Sequence, residues 1–135
     1  MATKKILCIG GSGQLGQAVT KCFLPYEITN IDFKECPSAK NNILIKTTAT
    51  PSQNNRDVIT NLKSFKGRFN SIVVTAGGWI GGSIKDEDYF SKCQSMLDMN
   101  LTPSLLGAHL ATRYLDNNGL VVFTGAAAVF REPQP

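Results

Sequence analysis

The sequence has 135 residues, 42% of them apolar, and a net charge of +4, which suits one compact globular domain. No apolar run approaches the ~20 residues that a membrane-crossing helix needs. The 14 lysines and arginines are spread along the chain, so neither a membrane nor a nucleic-acid partner is expected.

The chain opens on two lysines and a short apolar run, too brief for a secretory signal. Cys8, Cys22, Cys36 and Cys93 form no Cys-x-x-Cys pair and meet no paired histidines. Neither a metal site nor a disulfide framework is expected, and a reducing cytoplasm fits. Cys8 and Cys22 fall on faces expected to be buried, where a free thiol packs as a small hydrophobe.

Strand-like and helix-like segments alternate. Lys5–Ile9 reads as a strand buried on both faces, because it is continuously apolar and ends in glycine. Leu15, Ala18, Val19, Cys22 and Phe23 follow at helical spacing, and Pro25 stops that helix. Glu27–Asp32 is the second strand and residues 43–45 the third, with a polar loop around Pro37 between them. Val58, Ile59, Leu62 and Phe65 mark the second helix, ended by Lys66-Gly67. Residues 72–74 form the fourth strand, followed by a loop over residues 76–83. A long helical region then runs to Leu115, with Pro103 kinking it near Asn100. Asp116-Asn117-Asn118-Gly119 turns the chain into a fifth strand, residues 120–124, and residues 130–135 read as a loop.

Strands joined by helix-length connections pair in parallel through right-handed crossovers. The expected architecture is α/β: a single Rossmann-like, doubly wound parallel sheet over residues 1–135. Its five strands take the order 3-2-1-4-5, with helices on both faces.

Gly11-Ser12-Gly13-Gln14-Leu15-Gly16 lies between the first strand and the first helix, the context that gives a Gly-x-Gly-x-x-Gly pattern its meaning. The first glycine permits a tight turn, the second lets backbone approach a pyrophosphate, and the third allows close helix–strand packing. The helix N-terminus then offers free N–H groups to the phosphates. A plain glycine-rich turn is the weaker alternative. Asp32 ends the second strand, 16 residues after Gly16. A carboxylate there accepts hydrogen bonds from the adenosine ribose and repels a 2′-phosphate, which favours NADH over NADPH. Lys34 tempers that preference, and a solvated turn aspartate is the alternative reading.

A second glycine loop, Ala76-Gly77-Gly78-Trp79-Ile80-Gly81-Gly82, follows the fourth strand and faces the same crevice. The Trp79 indole is suited to stack on a heteroaromatic substrate, or else it packs on the sheet edge. His109, the only histidine, has no recognisable nucleophile partner and reads as a packing or surface residue. Asp86-Glu87-Asp88 suits the start of a helix better than a metal.

Together, Gly10–Gly16, Ile31-Asp32 and the Trp79 loop resemble the short-chain dehydrogenase/reductase superfamily. The Ala-Gly-Gly-Trp-x-Gly-Gly stretch, His109-Leu110-Ala111-Thr112-Arg113-Tyr114-Leu115 and Gly119-Leu120 with Gly125-Ala126 are similar to the dihydropteridine reductase family within it. That resemblance implies NADH-dependent reduction of quinonoid dihydropterin, as in recycling of tetrahydrobiopterin. It implies that Gly11, Ser12, Gly13, Gln14, Leu15 and Gly16 wrap the pyrophosphate and that Asp32 holds the adenosine ribose. Ala76, Gly77 and Gly78 would line the nicotinamide ribose, Trp79 the pterin, and Asn100 would organise a proton-relay water. The resemblance also implies a homodimer in a full-length form.

The sequence departs from that pattern in three places. It has no hydroxyl at Gly125–Ala127, where the superfamily usually carries a serine, and Thr48-Ala49-Thr50 where many members have an adenine-contacting aspartate. It also lacks the family's Tyr-x-x-x-Lys, which would begin just past Pro135. Neither Tyr89 nor Tyr114 replaces it, since Cys93 and Asn118 stand four residues on. The chain therefore reads as lacking the C-terminal part of the fold, with Leu120-Val121-Val122-Phe123 left as an apolar edge. Expressed alone, it is expected to bind NADH weakly and to turn over little pterin. The rival readings are another short-chain oxidoreductase and a catalytically inactive nucleotide-binding protein.

Overall fold

The computed structural model describes residues 3–130, so the loop expected over 131–135 lies outside the described residues. Five strands, β1 (Lys5–Ile9), β2 (Glu27–Asp32), β3 (Asn41–Leu44), β4 (Phe69–Val74) and β5 (Leu115–Phe123), pair in parallel in the order β3-β2-β1-β4-β5. This is the expected order.

Strand side chains alternate between the two faces, so a continuously apolar strand feeds two cores. Leu7 and Ile9 of β1 join Ile31, Ile72 and Val74 on one face. Helices α2 (Pro51–Leu62) and α4 (Thr102–Tyr114) cover that face through Val58, Leu62 and Leu110. Ile6 and Cys8 join Ile28 and Val73 on the other face, against Val19 and Phe23 at α1 (Gln14–Cys22). The sheet therefore carries helices on both sides.

The buried face of α1 differs from the expected stripe. Leu15, Ala18 and Cys22 are exposed, while Gly16 and Thr20 are buried. The helix is rotated because Gly16 presses against the loop before it: a Cβ there would stand 2.1 Å from the Gly10 carbonyl oxygen. Thr20 is tolerated inside because its hydroxyl donates to the Gln17 carbonyl at 3.1 Å. Cys22 is thus not a core thiol.

Helix α2 starts on a reciprocal cap, in which Thr50 and Gln53 each accept from the other's backbone N–H. It ends at Leu62, earlier than the apolar spacing suggests. Phe65 lies beyond it, stacked on Phe69 with ring centroids 4.3 Å apart. The long helical region is two helices, α3 (Tyr89–Asn100) and α4, broken at Leu101, with Pro103 in the first turn of α4 where its missing N–H costs nothing. Asp116–Gly119 does not form a turn ahead of β5. The segment lies inside the strand as an irregularity, where Leu115 pairs with Phe69 and Leu120 with Ser71. β5 forms one edge of the sheet, and Leu120, Val122 and Phe123 are exposed there.

Candidate functional site

The strand order reverses beside β1, with β2 and β3 added on one side and β4 and β5 on the other, so a crevice opens at the carboxyl ends of the strands. Two cavities occupy it. One, of about 930 Å³, is bounded by Leu15, Ala76–Gly78, Trp79, Tyr89 and Asn100. The other, of about 500 Å³, is bounded by Gly10, Asp32, Phe33, Asn55, Ala76 and His109. Ala76 lines both, so together they form one trough across the ends of β2, β1 and β4.

The glycine loop is shaped by contacts that forbid side chains. Gly10 has φ +94°, and a Cβ there would meet the Ala76 backbone nitrogen at 2.4 Å. At Gly11 a Cβ would lie 2.5 Å from the Asn30 side-chain oxygen. Gly13 is different. It is extended, with φ −70°, and a Cβ would meet only the Gly10 oxygen, at an ordinary 3.6 Å. Nothing within the described residues requires glycine at 13, so the space its missing side chain leaves suits a ligand brought close to the backbone. Among the described residues no side chain caps α1, and its first-turn N–H groups suit a pyrophosphate.

Asp32 is tied to this loop. Its Oδ2 accepts from the Ser12 amide at 2.9 Å and from the Ser12 hydroxyl, while Oδ1 accepts from the Phe33 amide. The carboxylate is thereby fixed beside the second cavity, with acceptor lone pairs remaining for ribose hydroxyls. Asn55, on α2, has a buried Oδ1 with no hydrogen-bond partner among the described residues. An unsatisfied amide beside that cavity is a feature that a polar heterocycle would relieve. The residues present fit a dinucleotide at both ends of the trough.

The Trp79 loop is held by Asn100. The Asn100 Oδ1 accepts from the Gly78 N–H at 3.1 Å, and its Nδ2 donates to the Gly78 carbonyl at 2.9 Å and to the Met96 carbonyl at 2.9 Å. This amide anchors the backbone of the loop. Ile80 N–H points at the Met96 sulfur, 3.1 Å away. Trp79 is 82% exposed, with its ring against Gly81, where a Cβ would come within 2.8 Å. It therefore stands over the larger cavity and does not pack on the sheet edge.

The acidic triplet holds a lysine. Lys92 Nζ lies 2.9 Å from both Asp86 and Asp88. The Lys92 hydrogen bond, followed by that of the Ser83 amide, holds the Asp86 carboxyl below the usual carboxylate range. The Lys92 ammonium is raised in turn by Asp86 and then Asp88. Tyr89 and Cys93 also line this cavity, and a hydrogen bond to the Cys93 thiol raises the Tyr89 phenol. None of Tyr89, Lys92 and Asn55 was singled out from the sequence as a site residue. Their helical spacing carries no motif, and only the fold brings them to the trough. His109 is half-buried and lines the second cavity.

Comparison with known proteins agrees with this geometry. The chain is 35% identical over 128 residues to a dihydropteridine reductase from Dictyostelium discoideum, across 93% of this chain and 54% of that protein. It superposes with a TM-score of 0.80 on a short chain dehydrogenase family protein from Francisella tularensis, at 30% identity over 98% of this chain and 55% of the other. The chain carries the short-chain dehydrogenase/reductase fold. A short-chain dehydrogenase/reductase from Serratia marcescens shares that fold with a TM-score of 0.76 at 19% identity, across 97% of this chain and 60% of its own. The chain spans about half the length of the first two of these relatives. No family model matches the sequence. Among the described residues, no helix is long and apolar enough to cross a membrane.

Proposed function

We propose that this chain forms the nucleotide-binding part of an NADH-dependent oxidoreductase acting on a quinonoid dihydropterin. The observation that carries this reading is the Trp79 loop, pinned by Asn100 over a cavity that adjoins the glycine loop. The similarity to a protein named dihydropteridine reductase supports the same substrate class.

Gly11, Ser12, Gly13, Gln14, Leu15 and Gly16 wrap the pyrophosphate, with the first-turn amides of α1 facing it, and Asp32 holds the adenosine ribose. Ala76, Gly77 and Gly78 pass close to the nicotinamide ribose. NADH, when bound, supplies a hydride. Trp79 offers a flat, exposed face on which a pterin ring stacks. Asn100 acts by fixing the loop that presents Trp79. The fixed Asp32 carboxylate disfavours a 2′-phosphate, so NADH is preferred to NADPH.

The test is NADH-dependent reduction of quinonoid dihydropterin by the purified chain, with aldehydes and ketones as competing substrates. Faster reduction of the pterin supports the reading. Faster reduction of a carbonyl substrate points to another oxidoreductase, and NADH binding without any turnover points to an inactive nucleotide-binding protein. Because the chain is expected to act weakly, pterin binding is followed in parallel by quenching of Trp79, the only tryptophan.

A further inference from the structure

One amide at the centre of β2 joins two loops that the proposed cofactor would touch. Asn30 is completely buried. Its Oδ1 accepts from the Gly11 N–H at 2.9 Å. Its Nδ2 donates to the Lys34 carbonyl at 3.2 Å and to the Asn42 Oδ1 at 2.9 Å. That Asn42 oxygen also accepts from the Cys36 N–H at 2.8 Å. The glycine loop and the segment 34–36 are therefore fastened to the same side chain, with Asp32 between them.

A buried amide is costly unless it is bonded, and an aliphatic residue would fill the same space without that cost. The bonds the Asn30 side chain makes lie outside the sheet ladder in which its backbone is paired. They fix Gly11, next to the Ser12 that holds Asp32, and they fix the backbone of Lys34, the cation nearest Asp32 in the sequence.

We propose that Asn30 is a positioning residue for dinucleotide choice, an inference that rests on the NADH reading above. By clamping the Lys34 carbonyl, it keeps the Lys34 backbone from shifting to bring the ammonium to a 2′-phosphate. By clamping Gly11, it keeps Ser12 in register to orient the Asp32 carboxylate toward ribose hydroxyls. Removing the amide frees both at once, so NADPH gains as NADH loses.

The test compares dissociation constants for NADH and NADPH, by nucleotide fluorescence, in the wild-type chain, Asn30→Ser and Asn42→Ala. Asn30→Ser is expected to lower the ratio of NADPH to NADH dissociation constants by about 5–10-fold, the worth of roughly one hydrogen bond. Asn42→Ala leaves the Gly11 and Lys34 bonds of Asn30 in place and removes the Asn42 bonds that hold Cys36 and steady the Asn30 amide, so it loosens segment 34–36 only in part. It is expected to move the ratio the same way by about 2–5-fold, and it reports even where Asn30→Ser does not fold. Phe69→Leu, a core truncation at the amino end of β4, is the control and should weaken both nucleotides equally. Equal weakening of both nucleotides by the Asn30 and Asn42 variants would overturn the inference while leaving the NADH reading intact. A wild-type chain that binds neither nucleotide would overturn both.

Discussion

Gly13→Ala separates the two kinds of glycine in the loop. A methyl group at 13 meets only the Gly10 oxygen at 3.6 Å, and the backbone there, at φ −70°, accepts any residue. Alanine is a poorer N-cap than glycine, at a cost of up to about 1 kcal/mol. It also narrows the unfolded ensemble, a gain of about 0.4–1 kcal/mol. The two offset, so the melting temperature should move by less than about 3 °C. NADH affinity should fall at least ~10-fold, because the methyl group occupies the pyrophosphate's approach to the backbone. Gly16→Ala is the contrast, since its Cβ would lie 2.1 Å from the Gly10 oxygen and 2.6 Å from the Gly11 Cα. Helix and loop must move apart there, at a cost of about 1–3 kcal/mol or more. The assay is a thermal melt and an NADH fluorescence titration on each variant. Gly13→Ala that melts normally and binds NADH like the wild type would refute the ligand-facing role of Gly13.

Trp79→Ala should raise the KM for quinonoid dihydropterin about 3–10-fold, the worth of one aromatic stack, without changing the melting temperature of a chain in which that ring is 82% exposed. An unchanged KM would remove Trp79 from the substrate site. Asn100→Ala should loosen the Gly78 backbone and increase the mobility of Trp79, seen as lower fluorescence anisotropy, and should weaken NADH binding through the same loop. The Asp86 pKa is lowered in the fold, so its tie to Ser83 and Lys92 holds above the ordinary carboxylate value of 3.8 and is lost as pH falls through the lower folded value. The Ser83 amide shift in NMR should titrate below 3.8, and a midpoint at or above it would contradict the ion pair. Burial pushes the Cys8 thiol up to about 11, so in the native chain an aromatic disulfide reagent should modify exposed Cys22 first and Cys8 only on unfolding.

The parts of the molecule that sequence reasoning found are those where local spacing and global fold agree. The glycine pattern, the strands around it and Asp32 depend on contacts that every doubly wound sheet repeats, so their order and their meeting at the trough followed directly. Asn30 was invisible because its bonds to Gly11 and Asn42 span 19 and 12 positions, and an asparagine inside a strand carries no motif. The buried face of α1 was misread because apolarity alone marks Leu15 and Cys22. The close approach at Gly16 and the satisfied hydroxyl of Thr20 decide the rotation instead. Asp116–Gly119 has turn chemistry, yet parallel pairing on either side holds it within β5 as an irregularity. Asn100 was singled out, yet its bonds to Gly78 span 22 positions, so its hold on the Trp79 loop carries no local signal.

The central claim is that a dinucleotide lies along the trough from Asp32, past the glycine loop, to the Trp79 loop. Amide chemical-shift mapping during an NADH titration tests it most directly, because it detects even weak binding and reports where binding occurs. Shifts concentrated at residues 11–16, at Asp32 and at residues 76–79 are the expected result. Shifts confined to other surfaces, or none at millimolar NADH in a folded chain, would contradict it.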